Sequence, residues 1–285
     1  MFTLAKPVFA AALIAAAAMP AYAADLIEPP VVEAAPPAYE PAADFGGWYI
    51  RGDLDYHWSS LRGSEYITYG VDGFGNPAPG TSSFDSDSLD GAFSLGAGVG
   101  YQINRYLRAD LTADYWFSSD FRGSTSGVCA GGPCVSSDES SYSTWLLLAN
   151  AYADLGTYHG FTPYVGAGIG GAYVQWDNLN NTIDGETTVH DGASNWRFAW
   201  ALMAGTSYCL TDKLKLDVGY RYTRVNGGRM FELAPTTGPG AGPGFDDGFN
   251  VHEARAGLRY QFGGDSGCYE PEPVAYEPPP QPVYK

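Results

Sequence analysis

Positive charge is scarce in this 285-residue chain: 15 Lys and Arg stand against 32 Asp and Glu, for a formal net charge of -17. Phosphate backbones are held by clustered cations, so nucleic acid is excluded as a partner of the chain as a whole. Long apolar runs are missing outside the N-terminus. A spanning helix needs about 20 such residues, which excludes a helical integral membrane protein but not one that crosses with strands. Histidine is rare as well. His57, His159, His190 and His252 are scattered, with no metal-ligand spacing and no Cys-x-x-Cys pair, so no metal or other cofactor is expected. Glycine (37 residues) and tyrosine (21) are abundant instead.

The ends differ from the middle. Lys6, an apolar stretch from Pro7 to Ala18 and the small residues Ala21 and Ala23 predict a signal peptide over 1–23. Residues 24–45 form a Pro/Ala/Glu-rich linker and 263–285 a Pro-rich tail, both too poor in apolar residues to fold alone. The folded unit is therefore expected over 46–262.

Inside it the apolar residues recur with period two. Trp48, Ile50, Leu54, Tyr56 and Trp58 alternate with Arg51, Asp53, Asp55 and His57. Such a strand meets grease on one side and charge on the other. The same alternation runs through 94–103, 107–117, 145–155, 165–173, 196–202, 214–222 and 251–262. Tight turns at 104–105, 156–160 and 209–213 alternate with long polar loops at 59–88, 119–141, 177–194 and 225–249.

The pattern predicts an all-β fold: an eight-stranded antiparallel up-and-down transmembrane β-barrel with Pro-rich periplasmic tails and extracellular loops, in the outer membrane. A soluble sandwich would alternate too. Its strand ends would carry fewer aromatics than Trp48, Tyr101, Tyr208 and Phe262 at one end and Trp58, Phe117, Trp145 and Trp196 at the other, an arrangement like two interfacial girdles.

Eight strands enclose room for side chains only. The inward positions offer Arg51, Arg108, Arg197, Lys215, Arg221, Arg255 and Arg259 against Asp53, Asp55, Asp110, Asp114, Asp154, Asp217 and Glu253. A closed ion-pair network is expected because unpaired charge inside a membrane is costly; a narrow gated ion path is the alternative. Catalysis has little support: His57-Trp58-Ser59 is the nearest approach to a nucleophile and its base, and no enzyme is expected. Cys129 and Cys134 bracket turn-forming residues in the second loop and predict a hairpin disulfide. Cys209 and Cys268 fall on one rim and either pair with each other or stay free for other partners.

Phe161-Thr-Pro-Tyr-Val-Gly-Ala-Gly-Ile-Gly170, Leu214-Lys-Leu-Asp-Val-Gly-Tyr-Arg-Tyr222 and Ala256-Gly-Leu-Arg-Tyr-Gln-Phe262 resemble the eight-stranded outer-membrane surface proteins of alphaproteobacteria, related to opacity-type adhesins and the OmpA transmembrane domain. The resemblance implies insertion by the barrel-assembly machinery, reading Leu258, Tyr260 and Phe262 as the terminal signal, and contact with outer-membrane lipid and lipopolysaccharide. Here 23 residues follow Phe262, a departure that makes the signal internal. The reading is a structural envelope role with displayed loops; those loops, whose large side chains include Tyr66, Tyr69, Phe74, Phe84, Met230, Phe231, Phe245 and Phe249, alternatively suit adhesion to host ligands, and the resemblance implies haem binding as a further alternative. Some relatives are bound to peptidoglycan through a mature N-terminal Ala or Gly before an acid, and Ala24-Asp25 is similar; a plain spacer is the alternative.

Overall fold

The computed structural model describes residues 46–129, 131–234, 241–264 and 266–268. The expected signal peptide, the linker with Ala24, and residues 269–285 of the tail lie outside them. Along the chain run β1 (Gly47–Leu61), β2 (Ser64–Val71), β3 (Pro77–Ser83), β4 (Ser86–Leu89), β5 (Ala92–Gln102), β6 (Leu107–Ser124), β7 (Ser126–Cys129) and β8 (Gly132–Val135). They are followed by β9 (Ser137–Asp154), β10 (Phe161–Trp176), β11 (Leu179–Ile183), β12 (Glu186–His190), β13 (Ser194–Cys209), β14 (Leu214–Phe231) and β15 (Ala241–Phe262).

Eight of these strands form a closed ring: β1 pairs with β5, then β6, β9, β10, β13, β14 and β15 follow, and β15 returns to β1. Every pairing is antiparallel. Closure runs from Trp48 opposite Phe262 to Leu61 opposite Phe249. Hydrocarbon offers no partner to an orphaned N–H or C=O, so only a ring without edges satisfies strands placed in it.

The faces follow the pleat. Trp48, Ile50, Leu54, Tyr56 and Trp58 point outward and are exposed, while Tyr49, Arg51, Asp53, Asp55 and His57 point inward and are buried. Outward rings gather at two levels, with Trp48 against Tyr101 and Phe161 against Tyr208 at the short-turn rim. Tyr115 against Trp145, Tyr173 against Trp196 and Trp58 stacked on His252 mark the other level. The span from Trp48 to Trp58 is about ten residues, which at ~3.3 Å per residue and a tilt of about 40° covers about 25 Å, the height of an outer-membrane apolar band.

The wall does not stop at the second girdle. Segments 59–88, 119–141, 177–194 and 225–249, expected as loops, are largely strand: β1, β6, β9, β14 and β15 continue into them, and β2–β3, β7–β8 and β11–β12 add hairpins. Above the girdle the outward face of a strand meets water instead of lipid, so Ser, Thr, Gly and Asn replace the outward hydrophobics and the period-two signal fades. A bulge between Trp116 and Ser119 resets β6 so that Phe121 faces inward.

Glycine makes room for lumen rings. A Cβ at Gly100 would fall onto the Tyr49 ring, and Tyr152 lies likewise over Gly166. Gly100→Val is expected to cost about 1–3 kcal/mol of overpacking, seen as a lower urea midpoint for loss of the heat-modifiable folded band; an unchanged midpoint would contradict this packing.

Candidate functional site: the lumen and its outer rim

The lumen is stratified. Nearest the short turns, Arg108 is sandwiched between the Tyr152 and Tyr164 rings, 4.0 and 4.7 Å from their centroids, and its Nε donates to Asp154 at 3.1 Å. Arg259 donates from Nε to Asp217 (3.1 Å) and from Nη2 to Ser207 (3.0 Å). Lys215 Nζ donates to the Ser266 carbonyl at 2.6 Å, and among the described residues it has no carboxylate partner. The Ser266 bond to this lysine and the disulfide from Cys268 to Cys209 bring described tail residues onto the rim here.

The middle layer is a chain of shared charges. Arg51 reaches Asp53 (2.7 Å) and Asp110 (3.2 Å), and Arg255 bridges Asp53, Asp55 and Asp114 at 3.1–3.2 Å. Arg221 meets Glu253 at 2.5 Å, Asp114 at 2.9 Å and Asp55 at 3.7 Å, and is fully buried. Trp116 Nε1 donates to Glu253 from above. Removing one member of such a set strands the rest, because desolvated ions keep their cost and lose their attraction.

Over this sits an apolar layer of Trp116, Phe121, Tyr142, Leu146, Trp176 and Phe249, among others, joined ring to ring by Phe121–Trp176, Tyr142–Phe249 and Trp176–Phe231. Met230, Phe231 and Phe249, read from sequence as surface-loop residues, are buried in it. Above the girdle the inward face of a strand still needs filling, and these side chains fill it. Phe245 lies under the Arg229 guanidinium, while Phe74 is 93% exposed at a hairpin tip. Arg197 is bound here by Asp246 at 2.7 Å.

The structure brings His57 and Ser59 together. His57 Nδ1 is 3.3 Å from Ser59 Oγ, which also accepts from the Tyr142 hydroxyl at 2.8 Å, and His57 is completely buried against the Trp116 ring. Cys129 and Cys134 are joined in the β7–β8 hairpin. Leu258, Tyr260 and Phe262 lie on the outward face of β15 with Phe262 beside Trp48 in register.

The outer membrane protein β-barrel domain model matches residues 9–262. The chain belongs to that family. An uncharacterised protein of Brucella abortus (strain 2308) is 42% identical over 273 residues, 85% of this chain and 93% of that protein. The outer membrane protein PagN of Salmonella typhimurium is 28% identical over 150 residues, 50% of this chain and 61% of PagN. A protein of Rickettsia bellii named as a candidate adhesin is 28% identical over 179 residues, 60% of this chain and 75% of that one. Among solved structures, Neisserial surface protein A is similar with a TM-score of 0.44 at 18% identity, covering 76% of this chain and 97% of that one. The protein is thus an outer-membrane barrel, placed in the cell outer membrane by its family and its ring of strands.

Sequence reasoning missed three lumen partners of this barrel. Tyr49 donates to Asp110 at 3.0 Å and Gln102 to Asp154 at 3.2 Å; Asp246, on Arg197, sat in a stretch read as loop. The one available signal was Gly100 opposite Tyr49 in register, a vacancy matched to a ring. Arg221→Met is expected to destabilise the folded barrel by about 3–5 kcal/mol. Adding Glu253→Gln should recover part of the loss, read as urea unfolding midpoints in lipid vesicles. Additive losses would contradict a shared network.

Proposed function

We propose that this barrel is a non-enzymatic element of envelope integrity that carries its long hairpins outward as a recognition rim. The observation behind the reading is the filling of the lumen: Arg108, Arg221, Arg259, Trp116, Tyr142 and Phe231 are each at most 2% exposed, leaving ion pairs and rings where a conducting pore needs water. Its outward face meets lipid and lipopolysaccharide. The cleaved signal is residues 1–23, and Leu258, Tyr260 and Phe262 are the signal for the assembly machinery.

Both ends of the described barrel leave at the short-turn rim, since Trp48 is paired with Phe262. With the hairpins outside, the 24–45 linker and the 263–285 tail enter the periplasm together. A linker of about 20 residues reaches some 60 Å in polyproline form at ~3.1 Å per residue, enough to present Ala24 to peptidoglycan for covalent attachment. Boiling envelopes in SDS should leave a murein-bound fraction that is lost in an Ala24→Pro chain, whose mature N-terminus is a secondary amine. Complete extraction of wild-type protein with a free Ala24 amine would remove the tether. In planar bilayers the protein should give no discrete conductance steps; reproducible steps would overturn the sealed-lumen reading.

A surface adhesin is the second reading, favoured by the relative named as a candidate adhesin and by the exposed tips Phe74 and Val128. Deleting 66–81 should then abolish binding to host-cell surfaces while the folded, heat-modifiable band persists. Retained binding would leave the integrity reading alone.

A further inference from the structure

Nine acidic side chains are buried among the described residues: Asp53, Asp55, Asp110, Asp114, Asp138, Asp154, Asp217, Asp246 and Glu253. Eight lie within 4.0 Å of an arginine. Asp138, 1% exposed, does not. Its partners are neutral: Ser136 Oγ donates to Oδ2 at 2.7 Å and Asn181 Nδ2 to Oδ1 at 2.5 Å. A buried carboxylate is normally kept ionised by a cation, and two neutral donors leave accepting capacity on both oxygens.

Asp138 is also the buried acid that lines a cavity of about 340 Å³ at the long-hairpin end. The cavity is assembled from all four hairpin regions. Phe231, Phe84 and Tyr66 supply aromatic surface, Leu179 and Ile183 aliphatic surface, and the Cys129–Cys134 hairpin closes one side. Tyr66 packs edge-on to Phe84, which packs edge-on to Phe121, so the rings are fixed from below. Among the described residues that line it there is no lysine or arginine, and His190 is the one titratable nitrogen, its Nδ1 3.1 Å from the Glu232 carbonyl. The nearby exposed arginines are engaged elsewhere, Arg122 with Asp90 and Arg229 with Glu232. Segments 59–88, 119–141, 177–194 and 225–249 together hold 14 Asp and Glu against Arg62, Arg122 and Arg229, a field that gathers cations and repels anions.

We propose that this cavity binds a small organic ammonium: a cationic nitrogen set against Asp138 and carried on an apolar or aromatic body that packs against Tyr66, Phe84 and Phe231. The ligand supplies the counter-charge that this carboxylate lacks and that every other buried acid receives from an arginine. Rings beside a desolvated carboxylate add cation–π attraction to ion pairing, and the volume falls at the lower end of small-molecule sites. An anionic ligand such as haem, with two propionates, would set its charge against Asp138 and the acidic hairpins, with His190 the one titratable nitrogen on the described wall.

The test is calorimetric titration of the full mature protein, folded in non-ionic maltoside micelles, with three probes of one shape: phenethylammonium, 2-phenylethanol and 3-phenylpropanoate. Phenethylammonium should saturate one site at least tenfold more tightly than the alcohol, and the carboxylate should give no saturable heat. Asp138→Asn should lower phenethylammonium affinity tenfold or more, to that of the alcohol. Ile183→Trp, which fills the cavity from its rim away from the ion-pair network, should abolish binding while heat-modifiable migration is kept, and it carries the test if Asp138→Asn fails to fold. Equal affinity for the three probes, wild-type affinity in Asp138→Asn or in Ile183→Trp, or no saturation by phenethylammonium at millimolar concentration would overturn the proposal.

Discussion

A peptide group inside hydrocarbon has no water to fall back on, and this one constraint organises the molecule. It forces each membrane segment to pair on both sides, and with strands it forces the last to meet the first. The β1–β15 seam meets this demand over its whole length, from Trp48 against Phe262 to Leu61 against Phe249. Once the ring is closed, the pleat sends alternate side chains to two opposite media. Everything else in the sequence is an answer to what each medium tolerates.

The outward medium tolerates almost no charge, and the exposed outward positions of β1, Trp48, Ile50, Leu54, Tyr56 and Trp58, carry none. The inward space is small, and in its middle layer Arg51, Arg221 and Arg255 each lie directly against carboxylates. Arg221 shows the consequence: three carboxylates converge on it, none of them close in sequence. Such a set ties β1, β6, β14 and β15 across the lumen, so the wall is braced internally as well as by its ladder. Higher up the cheaper solution is grease, and the charge layer gives way to aromatic rings stacked from Trp116 to Phe231.

The membrane-embedded part was legible because two media impose two alphabets on alternate residues. Trp48 through Trp58 can be assigned face by face without coordinates, and the carboxylates and arginines of the lumen separate from the lipid-facing residues by parity alone. Legibility ended where the second medium ended. Beyond the girdle Ser119–Ser124 and Ser137–Ser143 are still wall, yet their outward residues need not be apolar and look like loop. Met230 and Phe231 carried a signal, an apolar pair inside a polar stretch, that was read as surface display when it marked a second, apolar filling of the lumen. Asp246 and Asp138 could not be assigned roles, because a carboxylate's partner, or its lack of one, is fixed by strands distant in the chain. Pairing between Arg197 and Asp246 crosses 49 positions.

The two faces of β1 can be told apart directly in bilayers by solid-state NMR polarisation transfer, from lipid acyl chains and separately from water, to the side chains of 48–58. Acyl-chain magnetisation should reach Trp48, Ile50, Leu54, Tyr56 and Trp58 first, with Asp53, Asp55 and His57 slow to receive it from either source. Rapid transfer from water to Asp55 and His57 would mean an open, hydrated channel, and transfer without period two would mean that the ring of strands does not sit in the membrane as described.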